Sequence, residues 1–461
     1  MKIERLEIAG LAQYSYIVSA EGKAVVVDAI RDVDRYLEYA DKQGLTITHI
    51  LETHIHADFA AGSTALQQAT GAELALSAHD EGEHYRYSMP HRALRTGETL
   101  EVGSVRIEAL HTPGHTPEHL CFVVFDTERS SVVPAALLSG DFLFVGGLGR
   151  PDLLGEEAKQ GLAHDLFHSL HERIADLPDG IEIHPGHGAG SLCGAGMSDR
   201  AQSTLGYERA TNPLFTLHEE AFVAQILGSV PPMPAYYPRM KQLNAQGAPI
   251  LPSLPGGSSL SVAKVAELAQ QQDTILLDLR RPEAFGGAHI PRSINIGAGQ
   301  NLSLWAGWLL ESDKRIVLVS DSGEDEASRR SLVRVGLDRI EGSLAKGMPA
   351  WIDAGHDFSR TTQLSAHEVE RRRGADSVVL DVRSNQEWKD GYISQATHLM
   401  LGDLPKNISS LPRNLPIITV CGSGYRSSIA ASYLAAHGFS KVSSMDGGMA
   451  AWNAQKLPLG H

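Results

Sequence analysis

Two histidines and an aspartate, His54, His56 and Asp58, stand at alternate positions in one short stretch of the chain. Imidazole and carboxylate groups together suit zinc, iron or manganese, and alternate side chains of an extended segment project to the same side. Residues 45–52, directly before them, have the composition of a β-strand. The pattern therefore predicts a metal site at a strand end. Its spacing leaves open which metal binds, whether there are one or two ions, and which histidine is a ligand.

Three further turns carry candidate ligands for the same site. His115 ends the sequence Thr-Pro-Gly-His, Asp141 ends Ser-Gly-Asp, and His187 lies in Pro-Gly-His-Gly. Each turn follows an apolar stretch that we interpret as a strand, and α/β sheets place their ligand sites in turns of this kind. The chain contains 21 histidines, which agrees with metal chemistry.

The segments between these turns alternate between strand-like and helix-like patterns, which is typical of an α/β domain. Strands are predicted at residues 73–77, 105–110, 120–125, 135–138 and 181–183, and helices at residues 30–42 and in a segment that ends at Thr70. Residues 243–259 are rich in Gly, Pro and Ser, so we interpret them as a linker.

The chain after this linker contains an internal repeat of roughly a hundred residues. The sequence LDLR at residues 277–280 recurs as LDVR at residues 380–383, and GMPAW at residues 347–351 recurs as GMAAW at residues 448–452. Several matched segments keep a nearly constant offset, which indicates two copies of one α/β unit.

A second chemical cluster lies in the second copy, where Cys421 ends an apolar strand. The residues that follow it are Gly422, Ser423, Gly424, Tyr425 and Arg426. Backbone N–H groups that converge in such a loop, together with a helix predicted at residues 427–437, would stabilise a thiolate and make it nucleophilic. The same donors would hold a persulfide on that sulfur.

The first copy lacks this chemistry. Ser320 aligns with Cys421 and Asp325 aligns with Arg426. A serine cannot carry sulfane sulfur, and the acidic residues Asp321, Glu324 and Asp325 would repel an anionic substrate. We therefore expect the first copy to be catalytically silent, and to serve as a spacer or an interface.

The metal-site motifs resemble those of the metallo-β-lactamase superfamily, whose fold is an αββα sandwich with metals at the strand ends of two sheets. Members with two metals, such as glyoxalase II enzymes and lactamases, carry a histidine ligand directly after the motif aspartate, where this chain has Phe59. This departure favours a single ion. The branch with one ion is the persulfide dioxygenases, and residues 139–146, 149–153, 187–191 and 204–208 also resemble that branch.

The resemblance to persulfide dioxygenases implies one Fe(II) per chain, held by His54, His115 and Asp141. A facial triad of two histidines and one carboxylate leaves positions open for dioxygen and an anionic sulfur substrate. The residues implied to surround the ligands are His56, Asp58 and His187.

Three further residues have predicted roles at this site. Arg150 would bind a carboxylate of the thiol carrier, although a structural bridge to Asp152 is an equal alternative. Tyr207 is a second predicted substrate-binding residue, from the motif at residues 204–208. Cys193 would hold a persulfide in transit, and its alternative is a spectator thiol. Cys121, in an apolar strand, is expected in the core.

The Cys421 loop and its flanking motifs resemble rhodanese sulfurtransferases. This resemblance implies Cys421 and Arg426 as catalytic residues, with residues 422–425 binding the sulfur substrate. The predicted architecture is an α/β multidomain protein. It contains an αββα metallo-β-lactamase sandwich at residues 1–245, an inactive rhodanese-like domain at 260–356 and an active one at 363–461, both with parallel sheets.

Together these resemblances imply oxidation of a low-molecular-weight thiol persulfide with O2 to sulfite, which a Cys421 persulfide converts to thiosulfate, in sulfide detoxification. The carrier, whether glutathione, coenzyme A or bacillithiol, is left open. The alternatives are a dinuclear zinc hydrolase of glyoxalase II type, and a non-enzymatic sulfur carrier or persulfide sensor.

Composition constrains the setting of this chemistry. The net charge of −15 argues against nucleic-acid binding, which needs clustered Lys and Arg. Three cysteines in 461 residues fit a reducing cytoplasm rather than a disulfide framework. The sequence shows no apolar run long enough for a membrane span. We expect a cytoplasmic homo-oligomer.

Overall fold

The computed structural model describes residues 1–321, 325–374 and 376–460. The chain forms two compact units. The first is Met1–Pro252 with Val333–Gly336, and the second is Ser253–Leu332 with Leu337–His461. Among the described residues, no helix is long and apolar enough to cross a membrane.

The first unit is built from strands and helices that alternate along the chain. Its strands are β1 Lys2–Ile8, β2 Gln13–Ala20, β3 Lys23–Val27, β4 Thr46–Leu51, β5 Glu73–Ser77, β6 Arg92–Leu94, β7 Thr99–Val102, β8 Val105–His111, β9 Leu120–Asp126, β10 Ala136–Gly140, β11 Leu148–Gly149, β12 Glu182–Pro185, β13 Gly194–Ala195 and β14 Ser203–Thr204. Its helices are α1 Val33–Gln43, α2 Ser63–Thr70, α3 Lys159–His168, α4 Leu205–Thr211, α5 Glu219–Ser229 and α6 Tyr237–Gln246, with a π-helical turn at Ser169–Arg173 and a 3-10 turn at Pro213–Phe215.

Two six-stranded sheets face each other in this unit, with strand orders β1-β2-β3-β4-β5-β6 and β14-β12-β10-β9-β8-β7. Apolar residues from both sheets share one core. A second core lies between the outer face of the second sheet and helices α3 and α5, while α2 packs against β4 and β5. The arrangement confirms the predicted αββα sandwich.

Strand β9 shows why the sequence folds in this way. All seven of its residues are buried. Phe122 and Val124 point into the core between the sheets, whereas Cys121, Val123 and Phe125 point into the core beneath the helices. The sequence of a strand buried on both faces is a continuous apolar run, because alternate side chains pack into different cores.

The remaining chain forms two similar α/β halves. The strands are β15 Ser259–Leu260, β16 Thr274–Asp278, β17 Ile294–Asn295, β18 Arg315–Val319, β19 Ile340–Leu344, β20 Thr362–Leu364, β21 Val378–Asp381, β22 Thr397–His398, β23 Ile417–Val420 and β24 Val442–Met445. The helices are α7 Val262–Ala269, α8 Pro282–Gly287, α9 Leu302–Leu309, α10 Glu326–Arg334, α11 Gly347–Asp353, α12 Ala366–Arg372, α13 Asn385–Lys389, α14 Leu404–Asn407, α15 Tyr425–Ala436 and α16 Gly448–Ala454, with 3-10 turns at Leu401–Asp403 and Ile408–Ser410.

These strands form two parallel five-stranded sheets with orders β15-β19-β18-β16-β17 and β20-β24-β23-β21-β22. The two orders correspond strand by strand, with β18 in the place of β23. This correspondence confirms the internal repeat and the predicted parallel sheets.

Two boundaries differ from the sequence prediction. Helix α6 extends to Gln246, so the first residues of the predicted linker are helical. Asn244 and Ala245 are buried there, which shows that tertiary contacts outweigh local composition. Helix α15 begins at Tyr425 rather than Ser427, because Gly424 adopts a positive φ of 105° and ends the loop there.

Candidate functional site

The three predicted metal ligands meet where strands of both sheets end. His54 follows β4, His115 lies between β8 and β9, and Asp141 directly follows β10. Asp141 Oδ2 lies 3.5 Å from His115 Nε2 and 3.8 Å from His54 Nε2. All three residues are buried, and their potential ligand atoms lie within 4.8 Å of one another.

Hydrogen bonds orient both histidine rings toward this centre. The Thr53 hydroxyl donates to Asp28 Oδ2 at 2.9 Å, so it accepts the proton of His54 Nδ1, also at 2.9 Å. His115 Nδ1 donates to the carbonyl oxygen of Arg150 at 2.9 Å. With Nδ1 protonated in each ring, both Nε2 atoms present lone pairs for a metal.

The electrostatics of the centre fit a metal ion. Burial lowers the pKa of both His54 and His115 well below its ordinary value, so both rings are neutral. Among the described residues, His115 Nε2 and Asp141 Oδ2 have no hydrogen-bond partner. Burying polar atoms without a hydrogen-bond partner raises the free energy of the folded state. Two imidazoles and a carboxylate are also the donor set of mononuclear non-haem iron.

His187 holds the carboxylate of this triad. Its Nδ1 lies 2.7 Å from Asp141 Oδ1, and its Nε2 lies 2.9 Å from Asp58 Oδ2. Burial alone would lower the pKa of His187, but the two carboxylates raise it well above its ordinary value. The ring therefore donates from both nitrogens and leaves Asp141 Oδ2 facing His54 and His115.

His56 packs against the ring of His54, with centroids 4.2 Å apart, and makes its hydrogen bond with Asp28. Its Nε2 lies 3.0 Å from Asp28 Oδ1, and its ring centroid lies 4.4 Å from that of Phe59. The structure thus brings the predicted neighbours His56, Asp58 and His187 around the three proposed ligands. Their division into ligands and neighbours stays a prediction.

Two glycines allow the turns to approach so closely. A Cβ atom on Gly186 would lie 2.5 Å from Asp141 Oδ1, and one on Gly149 would lie 2.8 Å from His115 Nδ1. Either contact would displace a group of the centre. The motif glycines are therefore required by the close approach of backbone to the site.

Helix α6 contributes residues that sequence reasoning missed. Asn244 accepts a hydrogen bond from Ala61 N at 2.8 Å and donates to the carbonyl oxygens of His56 and Phe59 at 2.8 and 2.7 Å. Lys241, 1% exposed, donates to a neighbouring carbonyl oxygen of the same loop. These hydrogen bonds hold the loop that carries His54 in place. Asn244 falls inside the predicted linker and Lys241 lies two residues before it, and no sequence signal marked either residue.

Glu118 and His119 also support the centre without having been predicted. Glu118 Oε1 accepts from Ile55 N at 2.8 Å, and His119 Nε2 accepts from Asp141 N at 3.2 Å. Both are buried. They follow His115 closely, so the histidine spacing there was the one signal that could have identified His119.

Cys193 lies close to the centre. Its Sγ groups with the ligand atoms of Asp58 and His187 within 4.8 Å, and it lies 4.0 Å from Tyr237 Oη. Burial raises the pKa of this thiol well above its usual value. The position is compatible with the proposed transit role, which stays a prediction.

Arg150 and Tyr207 occupy different environments. Arg150 is 2% exposed, and its guanidinium donates twice to Asp152, at 2.7 and 2.8 Å, and once to Leu192 O. That is the structural bridge given above as the alternative to substrate binding. Tyr207 is exposed and stacks under the guanidinium of Arg200. Substrate binding by Arg150 and Tyr207 stays a prediction.

The Cys421 loop forms the second candidate site. Cys421 directly follows β23, and its Sγ accepts from Gly424 N at 3.1 Å, with Ser427 Oγ at 3.7 Å. Arg426 donates to both oxygens of Glu387, at 2.7 and 2.6 Å. In the first copy, Ser320 follows β18 at the equivalent place. Glu324, predicted to repel anions there, lies outside the described residues.

The ion pair of Arg426 and Glu387 predicts a pH-dependent stability. The hydrogen bonds from Arg426 lower the pKa of Glu387 from 4.5 to about 2. A lowered folded-state pKa stabilises the protein above the unfolded-state pKa, and this contribution is lost as pH falls through the folded-state value. We expect Glu387→Gln to lower the thermal unfolding midpoint at neutral pH, and the difference from wild type to shrink between about pH 4.5 and 2.

Glu368→Gln is the matched control for this measurement. Glu368 and Ser365 form the same capping box on α12 that Glu387 and Ser384 form on α13, without a bidentate arginine. A deficit of equal size in both variants at every pH would contradict the role of Arg426.

Two family models match this chain. Residues 8–187 match the model of the metallo-beta-lactamase superfamily. Residues 261–354 and 365–455 each match the model of the rhodanese-like domain.

Curated relatives and solved structures agree with these matches. "Hydroxyacylglutathione hydrolase" of Polaromonas sp. is 34% identical over 177 residues, which are 38% of this chain and 61% of the relative. "Persulfide dioxygenase ETHE1, mitochondrial" of Mus musculus is 30% identical over 216 residues, which are 46% of this chain and 74% of the relative. The crystal structure of a metallo-beta-lactamase from Staphylococcus aureus is 35% identical with a TM-score of 0.67, and the match covers 75% of this chain and 99% of that chain. This chain thus spans less than two thirds of the hydrolase.

Proposed function

The chain belongs to the metallo-beta-lactamase superfamily and carries two rhodanese-like domains, and on that basis we propose an iron-dependent persulfide dioxygenase coupled to a sulfurtransferase. The observation that carries the proposal is the buried cluster of His54, His115 and Asp141. Phe59, fully buried beside His56, stands where a histidine ligand of a second ion would be needed. Similarity to a relative named as a persulfide dioxygenase supports the same reaction.

The proposed first reaction converts a thiol persulfide, O2 and water into thiol and sulfite. Per molecule, RSSH, O2 and H2O give RSH and H2SO3, so O2 is reduced as the terminal sulfur is oxidised. Bound Fe(II) would supply adjacent positions for dioxygen and the persulfide sulfur.

The residues of the chain prepare that site. His54 and His115 are held neutral by burial and aimed by the hydrogen bonds of their Nδ1 atoms. His187 keeps protons on both ring nitrogens and fixes the orientation of Asp141. The buried surroundings exclude bulk water, which strengthens each of these interactions.

The proposed second reaction takes place at Cys421. Its Sγ attacks the terminal sulfur of a persulfide, an Sγ–S bond forms, the S–S bond of the donor breaks, and the thiol leaves with the proton. Sulfite then attacks the outer sulfur to give thiosulfate and returns the Cys421 thiolate. The Gly424 N–H, 3.1 Å from Sγ, is placed to stabilise negative charge on that sulfur.

A hydrolase is the second candidate. The similarity to a hydroxyacylglutathione hydrolase favours it, as does the second group of potential ligands formed by Asp58, His187 and Cys193. A hydrolase of this type would need two metal ions and would cleave thioesters without consuming O2.

Metal analysis and oxygen uptake on the full chain distinguish the candidates. The dioxygenase predicts one iron per chain, and one O2 consumed per persulfide when glutathione persulfide is supplied. Two zinc ions with hydrolysis of S-lactoylglutathione would instead establish the hydrolase. No turnover of either substrate by the iron-loaded protein would leave a sulfur carrier or sensor as the remaining function.

A further inference from the structure

A cavity of about 460 Å³ opens beside the Cys421 loop. Gly424 lines this cavity, and its N–H donates to Cys421 Sγ. The thiol therefore lies directly behind this part of the cavity wall. Most of the wall comes from the silent repeat, which contributes residues 279–283, Gly297, Ala298 and Ser320. The volume lies in the range of roughly 300–1,000 Å³ that is typical of small-molecule sites.

The silent repeat also holds the reactive loop and its helix in place. Tyr425 Oη donates to the carbonyl oxygen of Gly297 at 2.9 Å. Further along α15, the Ser428 hydroxyl donates to Asn295 Oδ1 at 2.7 Å, and Asn295 N donates to Ser432 Oγ at 2.9 Å. Asn295 and both serines are buried. The wall of the cavity is therefore fixed relative to the thiol.

The cations in the cavity wall are already paired. Arg280 donates to both oxygens of Asp278, at 3.0 and 2.7 Å. Arg281 lies 3.4 Å from a carboxylate oxygen of Glu283. The buried Arg280 cannot receive a substrate anion without giving up its partner, and the charge of Arg281, whose side chain is 87% exposed, is largely screened by solvent.

Three carboxylates in the wall have no such compensation. Asp321 and Asp325 come from the silent repeat and Asp446 comes from the active one. Within the described part of the chain, none of the three has a cation within ion-pair distance. Asp325 is only 6% exposed, so it has lost most of its hydration without gaining a counter-ion. The wall of the cavity therefore carries an excess of negative charge.

We propose that the silent repeat forms the carrier-binding wall of the sulfurtransferase site, and that its carboxylates select persulfide donors bearing a protonated amine. The inference rests on the sulfurtransferase function proposed for Cys421. A donor of this class is a small aminothiol persulfide, whose ammonium group would meet Asp321 and Asp325 as its terminal sulfur meets Cys421. Donors with carboxylate or phosphate groups near the thiol are disfavoured, because like charges repel in a partly desolvated site.

The sulfur-transfer step itself is unchanged by this selection. Cys421 Sγ bonds to the terminal sulfur of the donor, the donor S–S bond breaks, and the aminothiol leaves with the proton. No further oxidant or reductant is required.

The test uses the full chain without O2 and three donors of similar size and different charge. These are the persulfides of cysteamine, 2-mercaptoethanol and 3-mercaptopropionate, and the measured quantity is the rate of persulfide formation on Cys421, followed by peptide mass spectrometry. We expect the wild type to react about tenfold faster with the cationic than with the anionic donor, and D321N/D325N to lose most of that preference. Asp353→Asn, an exposed carboxylate of the same repeat outside the cavity wall, should keep the wild-type preference.

Three outcomes separate the possible failures. If Cys421 is modified at rates independent of donor charge, the charge selection is wrong and the sulfurtransferase function stands. If no donor modifies Cys421, the sulfurtransferase function fails and this inference falls with it. If D321N/D325N does not fold, Asp446→Asn removes an exposed carboxylate of the same cavity, and an unchanged preference in that variant overturns the inference.

Discussion

Asp141→Ala is expected to abolish iron binding and persulfide-dependent O2 uptake together. The change removes the proposed anionic ligand of the triad and the partner of His187 Nδ1, which leaves a buried imidazolium with Asp58 alone. Loss of a residue that only orients a ligand costs about 10–100-fold in metal affinity, and loss of a ligand should cost more than about 100-fold. We expect less than about a tenth of an iron per purified chain.

Iron content by mass spectrometry is the primary readout, with O2 uptake as the second. His184→Gln is the matched control, because His184 is another histidine at a strand end, 9% exposed, that contacts Glu182 rather than the triad. It should retain iron and activity. If Asp141→Ala kept a full complement of iron, the ligand assignment would be wrong.

Cys421→Ser is expected to change the product rather than the rate of oxygen consumption. Serine preserves the size of the side chain and can still accept the Gly424 N–H, but it cannot carry sulfane sulfur. With glutathione persulfide as substrate, we expect thiosulfate to fall by at least about 100-fold and sulfite to rise in its place. Oxygen uptake should remain at the wild-type level, because the triad lies in a different unit of the chain.

Ion chromatography of the products measures both anions in one sample. Cys121→Ala is the control, because Cys121 is a thiol in the core strand β9 with no expected role in chemistry. It should leave the ratio of sulfite to thiosulfate unchanged. If Cys421→Ser produced as much thiosulfate as the wild type, the proposed coupling of the two sites would be wrong.

Much of the architecture could be predicted from local pattern. The strands that carry ligands were found within a few residues, because continuous apolar runs and the Gly and Pro turns after them are local signals. The repeat was recognisable because LDLR recurs as LDVR and GMPAW as GMAAW at nearly the same offset, and the structure places LDLR and LDVR where β16 and β21 end. The start of α15 was misplaced because a single glycine conformation decides it.

The sequence by itself determined which residue types are available for chemistry: two histidines with an aspartate, which suit a metal, a cysteine in a tight loop, which suits sulfur transfer, and a repeat without that cysteine. Tertiary structure alone revealed that His54 and His115 lie next to Asp141 while His56 contacts Asp28, since Asp28 becomes a neighbour of Thr53 and His56 only after folding.

Tertiary structure likewise brought Asn244 of α6 onto the loop that carries His56 and the first repeat against the Cys421 loop. The physical reason is common to all of these cases. Spacing along a strand specifies which side chains share a face, whereas hydrogen bonds between residues far apart in sequence depend on how the sheets and helices pack.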